Sequence, residues 1–143
     1  MIFMNKRNFV CVNCGKEFEA VKRGNIKYCS VQCQWEHKRK EYIDKWKRGE
    51  VDGGKANGFA ISGYVRAYLF SRCGGKCEKC GFDKVNPYTG RSILQIHHID
   101  GNSSNNSENN LQVLCPNCHA MTENFGSRNK NGISGRSRYF GKG

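Results

Sequence analysis

The chain has 143 residues, of which 37% are hydrophobic, enough for a modest core shared between small modules rather than one large one. Lys and Arg outnumber Asp and Glu by 24 to 12, and the formal charge of +12 suits a polyanionic partner, nucleic acid before an acidic protein or a lipid surface. No stretch approaches the ~20 apolar residues that cross a bilayer, MIFMNKRNFV lacks the apolar core of a secretory signal, and no apolar face suits an interfacial helix. A cytoplasmic protein with no membrane partner is therefore expected.

Small modules need staples, and nine cysteines are available. In a reducing compartment Cys-x-x-Cys pairs are far more often zinc ligands than disulfides, and an odd count argues against a closed disulfide set. The first group is Cys11, Cys14, Cys29 and Cys33 in CVNCGKEFEAVKRGNIKYCSVQC. Gly15 suits the tight turn of a zinc knuckle, and the FEA and KYC segments are expected to pair as a short hairpin. Four thiolates fill a tetrahedral site, so this zinc would be structural.

From about Ser30 the sequence reads as a helix with Trp35, Tyr42, Ile43 and Trp46 on one apolar stripe and Lys38, Arg39, Lys40, Lys45, Lys47 and Arg48 mostly off it. Those charges are either a solvated face or a phosphate-contacting one. His37, alone, reads as a surface residue. Residues 1–48 thus form an amino-terminal finger with a basic aromatic helix. Residues 49–59, rich in glycine and without hydrophobic period, are expected to be a flexible linker.

Ser62 can cap a second helix, GYVRAYLFSRC, ending before Gly74 and Gly75. A second knuckle follows at Cys77 and Cys80, then a strand in SILQIHHI, a turn-forming run GNSSNNSENN that alone would be read as disordered, a second strand LQVLC, and a helix opened by Pro116 in PNCHAMTENF. Cys77, Cys80, Cys115 and Cys118 complete a second four-cysteine set, with 34 residues between its pairs. A zinc there would tie together the ends of the segment holding His97, His98 and Asn110, with His119 directly after the last ligand. In an alternative set His119 replaces one cysteine. Cys73, the ninth, reads as a small buried apolar residue, with exchange for a ligand as the alternative.

The tail, residues 129–143 with Arg128 just before it, carries Arg128, Lys130, Arg136, Arg138 and Lys142 and no acid. It is read as a flexible strip that binds along a DNA backbone, against the alternative of an inert tail.

The segments HHIDGN, NLQVLCPNCH and KCEKCG together resemble the HNH endonuclease family, and in particular small phage and prophage HNH proteins. The resemblance covers about half the chain, from Phe59 to Arg128, and leaves the amino-terminal finger outside. It implies an α+β protein of small zinc-stabilised modules, with a beta-beta-alpha-metal nuclease core over residues 60–128. It also implies roles: His98 as general base, Asn110 as the central Asn that ties the loop or the base in place, and His97 and His119 as ligands of a catalytic divalent cation. Asn109 remains an alternative to Asn110. Adjacent residues on a strand face opposite ways, which agrees with one histidine as ligand and the other as base.

The implied reaction is hydrolysis of a DNA phosphodiester to 5'-phosphate and 3'-hydroxyl ends, by nicking or by cutting both strands. Two structural Zn2+ and one catalytic cation are implied. Abundance favours Mg2+ for the latter, while nitrogen ligands favour later metals, so Mn2+, Ni2+ and Zn2+ stay open. Double-stranded DNA is the expected partner; a homodimer and phage packaging or recombination proteins are further partners compatible with such a core. The rival reading is a non-catalytic zinc protein that binds DNA or RNA, which leaves the HH pair unexplained. A protein-interaction adaptor of the treble-clef sort would leave the basic tail unused.

Overall fold

A computed structural model describes residues 5–21, 26–55 and 60–130. The chain divides into two compact units, residues 1–45 and 46–143. Among the described residues no helix is long and apolar enough to cross a membrane.

In the first unit β1 (Lys6–Val10) pairs antiparallel with β2 (Glu17–Val21), Phe9 opposite Phe18. The two rings lie 5.8 Å apart, a cross-strand aromatic pair that fixes the register. This corrects the expected hairpin. FEA lies in β2, but its partner is the segment before the first cysteine, and Lys27–Cys29 is not a strand. The Lys27 carbonyl instead accepts from Val12 N–H at 2.9 Å. Gly15, at a φ of 71°, makes the turn of the first knuckle.

Helix α1 (Val31–Lys47) begins where Ser30 Oγ accepts from Cys33 N–H, and ends at Gly49, whose positive φ closes it. Its buried positions are Cys33, Ile43 and Trp46, with Tyr42 half-buried. Trp35 is 61% exposed and leaves the expected stripe. The burial follows Cys33, which the thiol cluster pulls inward, and Trp35 lies two positions round the helix from it. His37 sits beside the Tyr28 ring, 5.4 Å between centroids.

The division between the units falls after Lys45, ahead of the segment expected to be an open linker. The described part of that segment is held in place. Gly54 bridges to Ile61, and Gly53 O accepts from Ser62 N–H at 2.8 Å. Gly53, at a φ of 77°, lies flat against the Trp46 indole, where a Cβ would come within 2.5 Å of Nε1. Glycine here serves close packing, which composition alone reads as flexibility.

Helix α2 (Gly63–Arg72) is capped by Ser62 Oγ, which accepts from Val65 N–H at 3.2 Å. It buries Val65 and Leu69 against β4 (Leu111–Leu114), whose Leu111, Val113 and Leu114 face the same core. Strand β3 (Gln95–His98) pairs antiparallel with β4, setting His97 opposite Gln112 and His98 opposite Leu111. Helix α3 (Pro116–Ala120) follows directly; it is one short turn, where PNCHAMTENF suggests a longer helix. It stops because Met121 leaves helical geometry and Thr122 Oγ1 donates back to the His119 carbonyl at 2.8 Å.

The second knuckle is fastened to this hairpin by Glu78. Its backbone N–H donates to Val113 O at 2.9 Å, its carboxylate accepts from Val113 N–H, and Arg72 bridges the same carboxylate to the Leu111 carbonyl. Gly53→Ala should therefore cost about 1 to 3 kcal/mol through overpacking on Trp46 and backbone strain. A lowered urea midpoint in the zinc-loaded protein is the expected result, and an unchanged midpoint would mean that the indole gives way freely.

Candidate active site

Each cysteine group expected from spacing is assembled. The sulfurs of Cys11, Cys14, Cys29 and Cys33 lie within 4.8 Å of one another, and so do those of Cys77, Cys80, Cys115 and Cys118. Each set could hold a structural zinc, and His119 is not part of the second. In that set burial acts upward on the Cys77 thiol, but N–H groups of Cys115, Cys80 and Lys79 outweigh it and bring its pKa down to about 6. Burial and the neighbouring Cys80 and Cys115 sulfurs push Cys118 up to about 12. Four thiolates this close repel unless a cation sits among them. Cys73 stands apart, half-buried, its thiol donating to Phe70 O at 3.4 Å.

The α3 turn that carries Cys118 also carries His119 and sets it beside His97. The two rings are 5.2 Å apart, edge to face, and the Phe125 ring also meets His119 edge to face at 5.2 Å. His97 is buried. Its pKa is held below the ordinary value by burial first and then by His119 and His98, and burial lowers that of His119. Both imidazoles are thus neutral at pH 7, the state in which they ligate metal. His119 Nδ1–H donates to Gln95 Oε1 at 2.6 Å, which leaves Nε2 with its lone pair.

His98 is directed elsewhere. Its Nε2–H donates to Asn106 Oδ1 at 2.9 Å, leaving Nδ1 as an acceptor. Asn106 is itself buried, and its carbonyl takes the Trp46 indole N–H at 2.7 Å.

The loop that composition reads as disordered is tied by its own side chains. Asn110, buried, donates to Asp100 Oδ1 and Asn105 O, each at 2.8 Å, and accepts from Asp100 N–H at 3.0 Å. Asn105 binds the other Asp100 oxygen, and Asn102 N–H the first; these bonds hold the Asp100 carboxyl below its usual pKa, Asn105 foremost. Asn110 therefore organises the loop and Asn109 is exposed. Asn106, Gln95 and Trp46 do not stand out in the sequence as site residues, since nothing in the spacing tells which of the five asparagines between 102 and 110 meets a histidine.

Of the basic residues, Arg128 donates to Ala120 O at 2.6 Å at the end of α3, and Lys130 is exposed. Asn129 donates to Gly101 O, so the fold continues past Arg128. Arg136, Arg138 and Lys142 lie outside the described residues.

Residues 77–125 match the family model for HNH endonuclease. The second unit carries an HNH endonuclease domain. The match contains all three histidines, Asn110 and the second cysteine group, while the first unit lies outside it. Over 58 residues the chain is 45% identical to the H-N-H endonuclease F-TflIV of Escherichia phage T5, a stretch making up 38% of this chain and 23% of that protein. The chain thus spans under a quarter of that relative's length. No solved structure matches.

Replacing Cys115 with Ser should release the zinc of the HNH domain and unfold that unit while the other set keeps its ion. Zinc content falling from two equivalents to one with partial loss of circular dichroism is the expected reading, given the two sulfur sets. Retention of both ions would mean the second set is not a zinc site.

Proposed function

We propose that the chain is a metal-dependent DNA endonuclease acting through His98, with His97 and His119 holding the catalytic cation. The observation that supports this best is the different wiring of the three histidines inside the HNH span. Two meet edge to face as neutral imidazoles, one of them oriented by Gln95, and the third has its tautomer set by Asn106.

The donor set fits a divalent cation: two neutral nitrogens, with a hydrogen-bonded oxygen behind one of them, leave coordination positions open to substrate. A cation bound there supplies charge neutralisation at the phosphate and at the departing 3'-oxygen. Mg2+ is the first expectation. His98 Nδ1 takes a proton from water as that water attacks phosphorus, the bond to the 3'-oxygen breaks, and solvent protonates the oxygen. The ends are a 5'-phosphate and a 3'-hydroxyl. Asn110 contributes by fixing the loop, and Asn106 by holding the base.

Arg128 and Lys130, with Arg136, Arg138 and Lys142 beyond them, add positive charge for the DNA backbone. Double-stranded DNA is the proposed substrate. Dimerisation and association with phage packaging or recombination proteins fit an intracellular, phage-type nuclease and belong to the same proposal.

On supercoiled plasmid with Mg2+, Mn2+ or Ni2+, wild type should nick or linearise, and EDTA should stop it. His98→Ala should lose about a hundredfold to ten-thousandfold in rate with zinc content and DNA binding kept. Binding without any cleavage by wild type would contradict the proposal and favour a zinc-stabilised DNA-binding module. Asn106→Ala should lower kcat about tenfold to a hundredfold at unchanged KM, because it frees the base and leaves the substrate alone. An equal change in KM would place Asn106 in substrate contact instead.

A further inference from the structure

Two clefts of the second unit lie close to the Asn-rich loop and β3, and their charges differ. The one lined by Trp46, Lys47, Asp52 and Glu108 contains acids, and Lys47 lies 3.9 Å from Glu108 and over the Tyr68 ring. The other, about 530 Å³, runs beside β3 and contains none. Its walls bring Lys55 and Arg66 to His98 and Gln95, over an apolar floor that includes Ile61 and Ile96.

We infer that this cleft holds the backbone of one DNA strand next to the phosphate being cut, with Lys55 and Arg66 as its phosphate contacts. The inference rests on the nuclease reading above and names where the substrate lies.

Three observations carry it. The cleft touches His98 directly, and through Gln95 it reaches the side chain that orients His119, so a strand in it passes both halves of the catalytic constellation. Both cations are exposed, and neither has an acidic partner among the described residues, whereas Arg72, Lys45 and Arg48 are each paired. Arg66 also lies over the Phe70 ring, its guanidinium carbon 4.9 Å from the centroid, a cation–π contact that favours this pose. That contact involves the face of the ring and leaves guanidinium N–H groups for an anion. A pair of unneutralised cations beside the base, in a cleft without acid, is complementary to a polyphosphate chain and to no neutral ligand.

The test uses the full zinc-loaded chain. In the His98→Ala background, fluorescence anisotropy of a short labelled DNA duplex is followed against salt, with and without Lys55→Gln and Arg66→Gln together. Loss of two phosphate contacts should reduce the log-log salt slope by about 1.8. In the cleavage-competent background the same pair should raise KM at least tenfold and leave kcat within about twofold. Lys76→Gln with Lys84→Gln removes equal charge outside the cleft and should change neither.

An unchanged slope and KM, or an equal loss in the control, would overturn the cleft assignment while wild-type cleavage kept the nuclease reading intact. A slope lost only in the cleft variant, by a wild-type protein that cuts nothing, would uphold the cleft and overturn the catalytic reading. Failure of the His98→Ala protein to bind duplex at all would overturn the cleft assignment outright.

Discussion

The four sulfurs of Cys77, Cys80, Cys115 and Cys118 meet within 4.8 Å, and the HNH domain depends on that meeting. The apolar core around it is small, drawn mainly from Val65, Leu69, Leu94 and three residues of β4. A core of that size gives limited stability by itself, and a metal held by these sulfurs, a clip across 34 intervening residues, would compensate by restricting the unfolded chain. The clip also sets chemistry. Cys115 directly follows β4 and Cys118 lies one residue before His119, so closing the sulfur site delivers His119 to His97. Glu78 and Arg72 then fasten the knuckle to β4 and α2, so the strand carrying His97 and His98 is referenced to the same point.

The second constraint is polar. Ten residues after β3 are nearly all turn formers, yet Asp100 gathers Asn102, Asn105 and Asn110 around its carboxylate, and Asn106 reaches from the same loop to His98. Satisfied networks of this kind rigidify a loop that no apolar packing could order. Trp46 extends the support by donating to the Asn106 carbonyl, while Gly53 lets the chain pass against the indole. His98 is therefore braced, through Asn106, by a residue far from it in sequence.

Local chemistry made part of this readable from the sequence. Ser62, Gly15, Pro116 and the cysteine pairs act within a few residues, so the cap, the knuckle turns, the helix starts and both sulfur groups follow from spacing. Pairings made at distance did not follow. The partner of Glu17–Val21 is decided by where Phe9 and Phe18 meet, and the exposure of Trp35 by which helix face Cys33 draws inward. The glycines before Ser62 have the composition of a linker, but their function is close approach to a ring, which composition does not encode. At the site the histidines stand out in sequence because two adjacent ones precede a Cys-x-x-Cys-His; Asn106 and Gln95 are ordinary residues whose importance is purely positional.

The resulting picture is a division of labour by side-chain wiring. His97 and His119 are kept neutral and side by side, His98 is kept with one nitrogen committed and the other open, and an acid-free cleft runs past His98 and Gln95. The most direct measurement of that division is a titration of Mn2+ into the zinc-loaded full chain carrying isotope-labelled histidine, read by paramagnetic broadening of side-chain resonances. The account predicts that His97 and His119 broaden first and to the same degree, with His37 unaffected. Broadening centred on His37 or on the Asp100 loop, or none at concentrations that support activity, would contradict it.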